Sequence, residues 1–145
     1  DDGLLHLAKL KSLQQLPIGK TKVTDAGLVH IAKLKRLKYL GLRGNKITDD
    51  GIPHLAKLPK LTELHLGETG VTDKGTTSLA TLGRLQKLWL HDTKLTDASV
   101  PRLAKLIKLQ TLYLNRSRLT IGDVRKLQKA LPGCRIYYRS ATVPE

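Results

Sequence analysis

The chain has 145 residues and a formal net charge of +14, with 26 Lys and Arg against 12 Asp and Glu. It has no Phe, no Met, one Trp, four Tyr and one Cys, so its core must come from Leu, Ile, Val and Ala, and an internal disulfide framework is excluded. No apolar run reaches the roughly 20 residues of a bilayer-spanning helix, and the basic balance speaks of attraction to polyanions rather than of fold.

In chain order, Leu4, Leu7 and Leu10 come first, at helical spacing. Leu13, Leu16 and Ile18 follow, and the period-two step at their end predicts a short strand with one buried face. Thr21 and Val23 stand where the chain leaves that strand. A small polar side chain there can bond backbone groups that the turn leaves unpaired. Thr24 reads as a helix N-cap with Asp25 as the acid of the first turn. Leu28, Ile31, Ala32 and Leu34 keep helical spacing, and Lys33 and Lys35 meet the helix's negative pole.

The unit then returns every 24 residues. Thr-Asp recurs at Thr48-Asp49, Thr72-Asp73 and Thr96-Asp97, with Thr120 still in phase. Gly3, Gly27, Gly51 and Gly75 share the step. So do the triplets Leu37/Leu40/Leu42, Leu61/Leu64/Leu66, Leu85/Leu88/Leu90 and Leu109/Leu112/Leu114, each followed by Asn45, Thr69, Thr93 or Ser117. In the last copy Asp123 takes the glycine position and Gln128 the alanine position of the helix. Ile136 and Tyr138 then hold the phase of the buried leucines in a final strand. Residues 121–139 are expected to form a C-terminal cap, followed by a short tail to Glu145.

A strand and a helix within one such unit leave only tight connections, so successive strands must pair in parallel, and stacking must supply the core. The pattern L-x-x-L-x-L-x-x-N/T-x-L resembles the leucine-rich repeat. The Thr-Asp-x-Gly-Leu continuation is similar to the bacterial 24-residue type found in internalin-like arrays. The resemblance covers nearly the whole chain. It implies an α/β, right-handed solenoid with one parallel sheet on the concave face and helices on the convex face, as a single domain over residues 1–145 with five in-phase repeats. It also implies a non-catalytic binding scaffold, expected to be a monomer, whose ligand the repeat does not identify. No polar capping element precedes the first strand, so the N-terminus is expected to be cut from a longer array.

Residues between the leucines point to the open face of the sheet. One column there reads Pro17, Gly41, His65, Trp89, Tyr113, Tyr137. Four successive ring-bearing positions make a stripe roughly 15 Å long at the usual strand spacing. Exposed aromatics are enriched at binding hot spots, so the candidate site is His65, Trp89, Tyr113 and Tyr137, with Glu63, Lys87, His91 and Asp92 as polar neighbours. The stripe suits a protein or peptide and equally a sugar ring. Lysines recur at Lys9, Lys33, Lys57 and Lys105 along the edges, apart from the stripe. They support an alternative, electrostatic binding of a polyanion such as acidic polysaccharide, lipopolysaccharide or nucleic acid. Glu63, Glu68 and Asp92 at the centre of the concave face would repel phosphate. A third reading is a structural spacer within a larger protein.

Other chemistry is thin. His6, His30 and His54 recur through repeat duplication. His65 and His91 lie near the acids and within reach of a shared metal, but no ligand spacing is diagnostic, and neither a metal nor a cofactor is assigned. Cys134 reads as a structural thiol in the cap. No phosphate loop, paired-carboxylate site or nucleophile–base pair stands out, so no catalytic residue is assigned.

Overall fold

The Leu-x-Leu segments become three-residue strands. In the computed structural model, which describes residues 1–139, β1 (Gln15–Pro17), β2 (Tyr39–Gly41), β3 (Glu63–His65), β4 (Lys87–Trp89), β5 (Thr111–Tyr113) and β6 (Arg135–Tyr137) form one sheet in chain order. The tail to Glu145 lies outside the described residues. Every neighbouring pair is parallel, and the register steps by one repeat, so that Leu16, Leu40, Leu64, Leu88, Leu112 and Ile136 stand in line. Leu40, Leu64, Leu88 and Leu112 are fully buried, as period-two alternation requires of a sheet with one packed face.

Helices return the chain between strands: α1 (Asp2–Leu7), α2 (Asp25–Ile31), α3 (Ile52–Leu55), α4 (Asp73–Leu79), α5 (Val100–Leu103) and α6 (Ile121–Ala130). α3 begins three residues later in its repeat than α2 and α4 do in theirs, and α5 follows a 3-10 turn at Asp97–Ser99. The cause is local. Pro53 and Pro101 occupy the first turn. A proline ring clashes with the carbonyl four residues earlier, so an α-helix cannot run through from Asp49 or Asp97. The leucines of all repeats merge into one core from Leu4 to Cys134, the expected outcome of stacked units that cannot bury their own apolar face. This is the solenoid that the repeat implies.

Four of the five turn residues act as anticipated, while the buried Ser117 hydroxyl finds no partner among the described residues. Thr21, Thr69 and Thr93 donate their hydroxyls to the carbonyls of Ile18, Leu66 and Leu90. Asn45 also reaches back one repeat: its Oδ1 accepts from the Thr21 and Val23 N–H groups, and its Nδ2 donates to the Ile18 and Leu42 carbonyls.

The Thr-Asp pair differs from expectation. Thr24 and Thr72 have the extended backbone of an N-cap but make no side-chain capping bond. Each threonine bonds the aspartate of the preceding repeat, and Thr48 and Thr96 also accept locally from the Asp50 and Ala98 N–H groups. Asp25 accepts from the Thr48 N–H (2.9 Å) and hydroxyl (2.5 Å), Asp49 from the same groups of Thr72, and Asp73 from those of Thr96. The repeated glycine belongs to this ladder. A Cβ on Gly27 would stand 2.5 Å from Asp1 Oδ1, and on Gly51 it would overlap the Asp25 carboxylate. At the corresponding Ser99 a Cβ is accommodated, and there the helix start tightens to the 3-10 turn. The ladder stops at the last helix. Thr120 turns to Asp123 within its own helix, and the two form a reciprocal capping box. Gln128 donates to the carbonyls of Leu131 and Cys134 and so holds the final turn.

Candidate functional site

The register aligns Gly41, His65, Trp89, Tyr113 and Tyr137 across β2 to β6. Because the strands are parallel and in step, the rings stack with their planes nearly parallel. Ring centroids are 5.2 Å apart for His65–Trp89, 5.4 Å for Trp89–Tyr113 and 4.7 Å for Tyr113–Tyr137, with planes within 7° of parallel. Stacked pairs add about 0.5–1.5 kcal/mol each beyond the area that they bury. The rings thus turn their faces toward one another, and ring edges border the open side of the stack.

Two glycines on the open face seat further rings. A Cβ on Gly41 would stand 2.7 Å from the Tyr39 hydroxyl, so the Tyr39 ring lies across Gly41 beside the stack. A Cβ on Gly67 would overlap the His91 ring, which meets His65 edge-on at 5.2 Å. Burial, helped by the charges of His91 and Arg43, lowers the His65 pKa from 6.5 to about 4. His65 is thus neutral at pH 7, and its Nδ1 accepts from the Gly67 N–H.

The acids of the open face are paired. Glu63 faces Lys87 at 3.7 Å. Glu68 accepts from Arg43, with Nε at 2.8 Å. Asp92 takes both Arg116 Nε and Nη2 at 2.5 Å and touches His91 Nδ1 at 2.9 Å. The arginine hydrogen bonds hold the Glu68 and Asp92 carboxyls below their usual range and raise Arg116. Glu68, Asp92 and Arg116 all have positive φ, between 54° and 57°, a left-handed turn that brings side chains of successive repeats side by side. The expectation that these acids repel phosphate is weakened, because each carboxylate already has its cation. Ligand atoms of Glu68, His91 and Asp92 also lie within 4.8 Å of one another. A metal there would have to displace two arginines.

All eight expected site residues thus fall on β3 to β6 or directly after them. Trp89 and the two tyrosines form one body with His65, while Glu63 and Lys87 make a separate pair at its side. Sequence columns missed Tyr39, Arg43 and Arg116 as members. The available signal for Tyr39 was the glycine two residues on, the one position of β2 where a neighbouring ring can lie flat. Cys134 is buried, and burial pushes its thiol up, as befits a structural cysteine.

The family model described as Leucine Rich repeat matches residues 35–55 and 57–80. Among solved structures, an internalin of Listeria monocytogenes is 28% identical with a TM-score of 0.77, over 96% of this chain and 37% of that one. A leucine-rich-repeat protein of Leptospira interrogans is 24% identical with a TM-score of 0.59, over 91% and 38%. Actin-binding site 2 of leiomodin-1 is 16% identical with a TM-score of 0.71, over 91% and 87%; these last two likenesses concern the fold alone. The chain spans well under half the length of the internalin and of the Leptospira protein. No curated protein sequence matches it.

Proposed function

We propose that this chain, a leucine-rich-repeat solenoid, is a non-catalytic binding scaffold whose open sheet face takes a protein or peptide partner. The observation that carries the reading is the four-ring stack from His65 to Tyr137, held in register on the face of the sheet away from the helices. Its rings are fixed before any partner arrives, so binding loses little side-chain entropy there. Ring faces turned on one another favour a peptide over a sugar, since a sugar stacks on a face and only the ends of the row keep one free. The edges instead give hydrogen-bond donors within an apolar wall, and paired charges border them.

A displayed peptide library panned on the wild-type chain tests this, with the enriched peptides titrated against variants. Trp89→Ala is expected to weaken their binding about 30-fold or more, the effect of losing a central anchor. Its cost to folding is about 1–3 kcal/mol for the two lost stacks, and no core cavity opens. Peptides that bind Trp89→Ala and Tyr113→Ala as well as the wild type would overturn the reading.

A further inference from the structure

The two rims of the solenoid differ in charge. Residues 9–14, 33–38, 57–62, 81–86 and 105–110, which connect helix to strand, hold eleven lysines and arginines and no acid. The equivalent strand-to-helix stretches, 18–25, 42–49, 66–73, 90–97 and 114–121, hold seven cations and six acids. All eleven cations of the first rim are exposed, and none forms an ion pair among the described residues. Register brings equivalents such as Lys9, Lys33 and Lys57 into rows along the solenoid axis, roughly 5 Å per step at the sheet.

Folding does not require these charges. Residues 81–86 read Thr-Leu-Gly-Arg-Leu-Gln, with a single cation, on the same backbone. Complementarity to the helix C-terminus accounts for the row of Lys33 and Lys57, and Lys35 donates to the Lys57 carbonyl at 3.0 Å, but neither accounts for Lys60 or Lys108 further along the connection. Rows of like charge repel one another, so they stabilise nothing by themselves. One further residue is out of place. Ile107 is 78% exposed between Lys105 and Lys108, where the other repeats carry Lys11, Lys35, Pro59 and Gly83.

We propose that the helix-to-strand rim docks the protein on an anionic lipid surface, with its lysines on the headgroups and Ile107 inserted between them. A side of stacked loops presents charge over an area, which suits a charged plane. The apolar side chain standing among cations is the combination that interfacial binding uses. Nucleic acid fits less well, since these connections contain no aromatic residue on which a base could stack. The rim acts independently of the aromatic stack.

The test is co-sedimentation of the whole chain with vesicles. Binding is expected to equimolar phosphatidylcholine and phosphatidylglycerol, not to phosphatidylcholine alone, and to be released at about 0.5 M salt. Each basic side chain near an anionic surface is worth about fivefold in partitioning. The combined substitution Lys33→Glu, Lys57→Glu and Lys105→Glu should therefore lower partitioning at least about a hundredfold. Ile107→Ser, which leaves the charge unchanged, should lower it several-fold. Circular dichroism of both variants should match the wild type, because the substituted side chains are exposed. Trp89→Ala should partition normally, which separates this rim from the peptide site. The proposal fails if mixed vesicles do not bind the wild type, if Ile107→Ser partitions unchanged, or if duplex DNA binds where the vesicles do not.

Discussion

The two rims are cut from the same 24-residue unit, yet one is stitched and the other is not. On the strand-to-helix side, aspartates reach threonines of the next repeat, and arginines hold Glu68 and Asp92. On the helix-to-strand side, leucines do the packing, and the cations between them have no carboxylate partner among the described residues; Lys35 alone reaches a backbone carbonyl, that of Lys57. The difference teaches where each charge acts. A paired charge fixes local geometry and is nearly invisible at a distance. An unpaired row contributes little to folding but sets a field that other molecules feel.

The largest effect should come from cutting the stitch. Asp49→Ala removes two hydrogen bonds to Thr72, at 2.7 and 2.5 Å, and should cost about 2 kcal/mol in urea unfolding, as charge-assisted bonds do. Asp97→Ala is the control in the same phase: no threonine bonds Asp97 among the described residues, because Thr120 is taken by Asp123, so a change within about 0.5 kcal/mol is expected. Equal losses at the two sites would erase the distinction between paired and unpaired positions.

Asp123→Ala should cost about 1 kcal/mol by opening the capping box that ends the ladder. Amide exchange should then speed up in α6 before it does in α4.

Acid should loosen the stitched side. The His65 pKa is lowered to about 4, so between that value and 6.5 the unfolded chain binds the proton and the folded chain does not. Stability is complete above 6.5 and falls as the pH drops toward 4. Asp92 and Glu68 have lowered values as well, and their contribution is lost below their ordinary range. His65→Gln should flatten the upper part of this profile. A slope unchanged by that substitution would mean that another group titrates there.

The smallest effect belongs to the other rim. Lys57→Ala, exposed and without a carboxylate partner, should shift unfolding by less than about 0.5 kcal/mol.

The sequence alone determined the period, the parallel sheet, the buried leucines and the columns of the open face. The reason is that an exact 24-residue step and a period of two leave one register in which every leucine is buried. The break of phase in the last copy was legible too, from Asp123 and Gln128. The late start of α3 was written in Pro53, although the phase of the leucines pointed to an earlier one. Only the tertiary structure decided what the side chains of neighbouring repeats do to each other. Thr48 reaches back to Asp25, Tyr39 lies over Gly41, His91 over Gly67, and the rings from His65 to Tyr137 stack with planes nearly parallel. Apart from Tyr39 and Gly41, which stand in one strand, each is a choice of rotamer or bond partner made across 23 or 24 residues of chain, by neighbours about 5 Å apart in space, and residue spacing carries no record of rotamers.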